Sequence, residues 1–294
     1  MRVPAKVNLT LNVGATDNGG YHALGTLFQA VSLFDDLVAR PAEAGVFRVN
    51  FRGEGSSGLP VDDTNLVVRA ARLLAKTCGT GNLGVEIRVH KRIPVAGGMA
   101  GGSADAAATL VACNQLWGTG LDTEQLHAVA ARLGADVPFL LHGGTAVGTG
   151  RGEKLRSVPV RGSFHWVLAL SHHGLSTPAV FREFDRISAP QPTDIDSGLL
   201  EALADGDARR VGVLLRNDLQ RAAFNLQPEL ADVLAMGREA GAIGALVSGS
   251  GPTIAFLAGT KAVADAISDR LVLSSRVRAV RRAHGPVPGA RIVN

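Results

Sequence analysis

The sequence predicts a mixed α/β protein of two domains. Its 294 residues, 46% of them hydrophobic and 19% charged, are of ordinary globular composition and numerous enough to bury a sizeable core. Stretches that alternate apolar and polar residues are interleaved with stretches whose apolar residues recur at helical spacing. The 36 glycines cluster at 97–102, 143–152 and 249–251. Glycine gathers where the backbone needs positive φ or must approach a ligand closely.

Taken in order, Val3–Val13 alternates as a strand, with Val7, Leu9 and Leu11 on one face and Lys6, Asn8 and Thr10 on the other. Thr26–Val38 reads as further strand, with a turn near Asp35-Asp36. Asp62–Asn65 caps a helix running to Thr77, in which Leu66, Ala70, Leu73 and Leu74 hold helical spacing. Leu83–His90 alternates again, and helices follow at Ser103–Trp117 and Thr123–Leu133. Trp166–Leu170 is a short apolar strand, Pro178–Phe184 opens a helix, and Ser188–Asp196, with two prolines, is a loop. Helices at Gly198–Ala204, Asp207–Arg216 and Pro228–Ala240 precede strands at Ala242–Val247 and Ile254–Leu257, and a last helix follows Gly259. The polar, glycine-bearing stretch 150–162 is the expected domain boundary.

Several classes are excluded. No run of about 18 apolar residues offers a membrane span, and Met1–Leu11 lacks the pattern of a secretory signal. Cys78 and Cys113 sit in no CxxC or CxxH pattern, which argues against a disulfide scaffold or cysteine zinc site and suits a reducing cytosol. The net charge of +4 suits nucleic acid or a small anionic substrate such as a nucleotide, while 4% aromatic residues leave few platforms for stacking single-stranded bases. The basic run Arg276–Arg282 reads as a strand with one solvated face. GxGxxG occurs at Gly53–Gly58 and Gly79–Gly84, but neither match follows a strand and opens a helix, so both are turns. Walker A, HExxH, GxSxG and the protein-kinase triplets are absent, and His172-His173 lacks a third residue at ligand spacing.

One block remains. Pro94–Ala108 reads PVAGGMAGGSADAAA and joins a predicted strand to a predicted helix, with Ser103 as the N-cap. A helix start offers free N–H groups and partial positive charge, and small residues before it let the backbone wrap an anion. A plain turn needs one or two glycines, whereas residues 96–102 carry four glycines and two alanines. The block is therefore read as a phosphate loop that works without a lysine. Lys6 on the first strand and Asp136 in Gly134–Pro138 supply what hydroxyl phosphorylation needs. The lysine stabilises developing negative charge, and the aspartate takes or orients the hydroxyl proton.

The Pro94–Ala107 block resembles the central motif of the GHMP kinases, which include galactokinase, homoserine kinase and mevalonate kinase. Pro4–Leu9 (PAKVNL) resembles their first motif and Leu246–Phe256 (LVSGSGPTIAF) their third. Ala5–Leu9, Gly20-Tyr21-His22 and Gly134–Pro138 are similar to the branch that phosphorylates 4-diphosphocytidyl-2-C-methyl-D-erythritol in the non-mevalonate isoprenoid pathway. The resemblance runs from residue 3 to residue 260.

It implies an α+β, two-domain GHMP kinase fold: a ribosomal-protein-like nucleotide domain over 1–155 and a smaller α/β-sandwich substrate domain over 156–294. Lys6 and Asp136 would be the catalytic pair. Asn65, Lys91 and the segment Pro94, Val95, Ala96, Gly97, Gly98, Met99, Ala100, Gly101, Gly102, Ser103 and Ala104 would hold ATP, with Mg2+ as the companion ion. Asn8, Tyr21, His22, Thr177, Pro178 and Phe181 would line the acceptor pocket, and the loop around Gly249 and Gly251 would support the site from the second domain. The resemblance further implies a cytoplasmic enzyme, a monomer or weak homodimer with no nucleic-acid or membrane partner. The alternatives are another GHMP small-molecule kinase of homoserine or mevalonate type, or a nucleic-acid-binding module. The chain departs from the family in having Ala96, Ala100 and Ala104 where glycine, glycine and serine are frequent. Alanine at 96 and 100 leads to an expectation of negative φ there, and Ser103 is left as the only hydroxyl at the helix start. The turn Asp17–Gly20 is also poor in basic residues.

Overall fold

The computed structural model describes residues 1–79 and 82–293. In chain order the elements are β1 (Arg2–Thr16), β2 (His22–Pro41), β3 (Phe47–Gly53), α1 (Leu66–Cys78), β4 (Val85–Lys91), α2 (Gly101–Trp117), α3 (Thr123–Ala131), α4 (Val137–His142), β5 (Thr145–Thr149), β6 (Lys154–Ser157) and β7 (Phe164–Leu170). They continue as α5 (Thr177–Ile187), α6 (Ser197–Asp205), α7 (Ala208–Leu214), β8 (Arg216–Asn217), α8 (Gln220–Leu226), α9 (Glu229–Glu239), β9 (Gly244–Val247), β10 (Ile254–Ala258), α10 (Lys261–Val272) and β11 (Ala279–Gly285).

The strands form two sheets. The first runs β3-β4-β2-β1-β8, with β5 and β6 attached to the same edge of β2 that holds β4. This is possible because β2 is 20 residues long: its residues 36–41 pair β4 and its residues 26–29 pair β5, while β1 covers the other edge. The second sheet, β11-β7-β10-β9, is antiparallel throughout. After β11 the chain returns to the first sheet, where Arg291 bridges Arg2 and Pro288 bridges Gly143.

β1 explains why alternation alone does not tell inside from outside. Val3, Ala5, Val7 and Leu9 enter the main core beside α1 and α2, yet Lys6, Asn8, Thr10 and Asn12 on the opposite face are buried as well. α2 sits at the centre of that core. Its alanines, Gly101, Leu110 and Cys113 are buried around the helix, and small side chains let neighbouring elements pack close. A satellite cluster of Leu11, Val13, Val180, Phe184, Leu219 and Ala222 ties α5 and α8 to the far end of β1.

The structure corrects several expectations. No turn interrupts β2 at Asp35-Asp36, because Asp35 is completely buried and takes up the backbone amides of Arg92 and Ile93. α2 begins two residues early, at Gly101, so Ser103 lies in its first turn and Ala100 holds the N-cap position. Ala96 and Ala100 adopt positive φ, 51° and 59°, against the expectation for alanine. The strands β3, β5 and β6 and the helices α4 and α8 were not expected from periodicity; each has seven residues or fewer, too short for a clear pattern. The Gly53–Gly58 match ends β3 and runs into a single turn of 3-10 helix over Ser56–Gly58. The other GxGxxG match includes residues 80 and 81, outside the described residues. The basic run joins β11 only from Ala279, and its arginines form ion pairs: Arg278 and Arg281 with Glu54, Arg282 with Asp265, and Arg276 with Asp232. Among the described residues no helix is long and apolar enough to cross a membrane.

Candidate active site

A cleft of about 1500 Å³ is lined by the polar face of β1, the loop ahead of α2, the α3–α4 turn, the β5–β6 hairpin and the start of α5. On its floor, Lys6 Nζ donates to Asn8 Oδ1 at 2.6 Å and to the Gly98 carbonyl at 3.1 Å. Asn8 Nδ2 donates in turn to Thr26 Oγ1, which donates to the Thr10 carbonyl, both at 2.8 Å. Burial pushes the Lys6 ammonium below its ordinary pKa, and the Asp136 charge opposes that shift. Asp136 stands at the head of α4 and its side chain does not cap that helix, which leaves the carboxylate available to the cleft.

The loop 94–100 bends over β1 into α2. The Ala104 amide makes the first bond of that helix, to Ala100, so those of Gly101, Gly102 and Ser103 belong to its open end. Behind the loop lies the segment Ser248–Gly251. Ser248 Oγ donates to the Gly98 carbonyl at 3.1 Å, and the Thr253 amide to the Gly97 carbonyl at 3.3 Å. A Cβ at Gly98 would stand 2.1 Å from the Ser248 carbonyl oxygen, and one at Gly249 would stand 3.0 Å from Lys6 Nζ. Both glycines are required by this close approach.

Lys91 anchors the loop from below. Its ammonium donates to Asp35 Oδ2, to Asp105 Oδ2 at 2.6 Å and to the Gly101 carbonyl at 3.3 Å, and all three side chains are buried. Burial disfavours the Lys91 charge, but the Asp105 and Asp35 carboxylates outweigh it and hold its pKa above the ordinary lysine value. Burial drives Asp105 well above the usual carboxylate range, and its Oδ1 has no hydrogen-bond partner. Lys91 lines the cleft, but its charge serves the protein's own carboxylates.

At the other end, the Phe181 ring stacks on His22 with centroids 5.4 Å apart. His22 Nδ1 lies 2.7 Å from the Gly14 carbonyl, to which it donates, and its Nε2 faces Asp185 Oδ1 at 3.0 Å. Thr177 and Ser250 hydroxyls meet at 2.7 Å, and Pro178 occupies the first turn of α5, where the missing amide has no helical partner to lose. Tyr21 and Asn65 also line the cleft, Asn65 while capping α1 through the Val67 amide.

The structure thus brings the expected residues to one cleft, with two exceptions. Met99 and Ala104 are fully buried and do not line it. Met99 packs in the main core, and the Ala104 amide is taken by the helix. Sequence reasoning missed Asp35, Arg151 and Asp185. The acids at 35 and 36 within an apolar strand were a signal for the first; an arginine and an aspartate in polar segments gave none for the others.

Profiles of the GHMP kinases match this chain twice, the N terminal domain over residues 65–144 and the C terminal domain over residues 199–274. Curated relatives called 4-diphosphocytidyl-2-C-methyl-D-erythritol kinase are 54% identical in Nocardia farcinica and in Thermobifida fusca, covering all of this chain and 96% and 97% of those proteins. A crystal structure of 4-(cytidine 5'-diphospho)-2C-methyl-D-erythritol kinase superposes with a TM-score of 0.77 at 35% identity, over 97% of this chain and 98% of that one. Homoserine kinase from Cytophaga hutchinsonii has the same TM-score at 22% identity, a likeness of fold. These likenesses define the chain as a small-molecule kinase of a class that uses ATP. The chain belongs to the 4-diphosphocytidyl-2-C-methyl-D-erythritol kinase family of the GHMP kinases.

Proposed function

We propose that this protein transfers the γ-phosphoryl group of ATP to the 2-hydroxyl of 4-diphosphocytidyl-2-C-methyl-D-erythritol, giving the 2-phosphate for isoprenoid-precursor synthesis. The observation that carries the reading is the meeting of Lys6, Asp136 and the open amino end of α2 around one cleft. The amides at the start of α2 and the loop before it bind the nucleotide's phosphates. Lys6 stabilises charge on the phosphoryl oxygens, and Asp136 accepts or polarises the acceptor's hydroxyl proton, so transfer is direct and needs no phosphoenzyme. Asn65 and Lys91 shape the nucleotide's end, while Asn8, His22, Tyr21, Thr177, Pro178 and Phe181 shape the acceptor's.

Magnesium fits this donor set. Ser103 lines the cleft in the first turn of α2, and a hydroxyl at that place would hold Mg2+ together with the nucleotide's phosphate oxygens and water, as the phosphate-loop Ser/Thr of other nucleotide enzymes does. When bound, the ion neutralises charge on the β- and γ-phosphates. We place the nucleotide domain at 1–155 and the substrate domain at 156–294, in a cytoplasmic monomer or weak homodimer that acts on a small molecule without nucleic acid.

The test is turnover of ATP with this acceptor, run beside Asp136→Asn. We expect phosphorylation by the wild type and a loss of about a hundredfold or more in kcat for the variant. Turnover of homoserine or mevalonate in place of this acceptor would overturn the specificity. An Asp136→Asn variant of wild-type rate would remove the aspartate from the chemistry.

A further inference from the structure

Tyr21 is the only tyrosine of the chain and is 57% exposed at the mouth of the cleft, where an unsupported ring would rotate freely. It is not unsupported. The Arg151 guanidinium, from the β5–β6 hairpin, lies over the Tyr21 ring with its central carbon 3.8 Å from the centroid. Arg151 Nη2 donates to Asp17 Oδ2 at 3.0 Å, while Asp17 Oδ1 accepts from the Gly19 amide at 2.8 Å and from the Tyr21 amide at 3.0 Å. One carboxylate therefore fixes both the backbone of Tyr21 and the cation that covers one face of its ring. The Tyr21 amide and then Arg151 hold the Asp17 carboxyl below its usual range, as this geometry requires.

The hairpin that delivers Arg151 is itself anchored. The Leu24 amide donates to the Gly150 carbonyl at 2.7 Å, and the Arg151 amide to Glu153 Oε2 at 2.7 Å. A side chain at Gly19 would stand 3.6 Å from both Arg151 Nη2 and Tyr21 Cδ2, so the turn runs close beneath the pair. The cation missing from the turn Asp17–Gly20 is supplied from across the cleft mouth.

We propose that Asp17 and Arg151 form a bracket that sets the Tyr21 ring as a stacking platform for the acceptor's pyrimidine, Arg151 being a positioning residue that acts through Tyr21. The proposal rests on the reading above, in which the acceptor carries a cytidine diphosphate. A guanidinium on one face orients the ring and leaves the other face free for a base.

The test is acceptor binding by calorimetry and steady-state kinetics in a double-mutant cycle of Arg151→Ala and Tyr21→Ala. The bracket joins one exposed cation–π contact to one exposed ion pair, so Arg151→Ala should weaken acceptor Kd and raise acceptor KM about fivefold while leaving the KM for ATP in place. With Tyr21 already removed, Arg151→Ala should have almost no further effect. Arg151→Lys, which keeps the charge without the planar stack, should recover only part of the loss. Additive effects in the cycle, an equal rise in both KM values, or full rescue by lysine would overturn the bracket. Wild-type turnover of the cytidine-diphosphate acceptor is the separate control: its failure removes the reading itself, whereas additivity in an active enzyme removes only the bracket.

Discussion

The two ends of the cleft are built on opposite electrostatic plans. Beneath the glycine-rich loop, Lys91, Asp35 and Asp105 are almost wholly buried, and their contacts run to the backbone groups that flank the loop, the amides of Arg92 and Ile93 and the Gly101 carbonyl. At the opposite end, where we propose that the acceptor binds, the Arg151–Asp17 ion pair and the contact of His22 Nε2 with Asp185 each have a member about half exposed. Buried charges are strongly coupled to folding, because removing one strands its partner in a low dielectric. Exposed pairs are worth little each and are screened by water. On the proposed reading, the difference separates a nucleotide end that is fixed by stability from an acceptor end that is tuned by weak contacts.

The strongest way to break this contrast is Lys91→Met. The buried Asp35–Asp105 pair loses its cation, so urea unfolding should show a loss of about 3–5 kcal/mol. Adding Asp35→Asn and Asp105→Asn should return part of it, since the uncompensated charges are then gone; a Lys91→Met protein of wild-type stability would end the distinction. Phe181→Ala should cost less stability than Lys91→Met, because the ring is only half-buried where it packs against the cluster at the far end of β1 and strands no charge. Its expected effect is a rise of about tenfold in acceptor KM, equivalent to about 1.4 kcal/mol.

Lys6 lies between the two ends and titrates. Its folded pKa is below the unfolded value of 10.5. Between those two values the unfolded chain binds more protons, so the contribution of Lys6 to stability rises with pH across that window. Activity that needs the ammonium should fall over the same window, which places an alkaline limb in the kcat profile below the ordinary lysine range. Lys6→Arg should move that limb upward, as guanidinium does not titrate there. The smallest effect belongs to the loop. Ala100→Gly removes the Cβ penalty at φ 59° and should raise stability by up to about 1 kcal/mol in thermal unfolding. A loss of stability would show that the Ala100 methyl group packs better than its backbone is strained.

The sequence by itself determined the long elements and marked the glycine-rich loop between a strand and a helix. β1 and α2 carry periodic or compositional signals over many residues, and the glycine-rich block between a strand and a helix has few physical uses other than holding an anion. Short strands such as β6 escaped because four residues cannot establish a period. Asp35 looked like a turn residue because an acid in an apolar strand has no local partner; only tertiary packing brings Lys91, 56 residues away, against it. The same holds for Arg151, 134 residues from Asp17. For Ala96 and Ala100 the tertiary structure prevailed over local preference. The loop must clear Ser248 behind it and still enter α2, and that closure imposes positive φ on residues that would not choose it alone. Local periodicity is written in neighbouring residues, whereas charge pairing and loop closure depend on segments far apart in the chain, and those only the fold brings together.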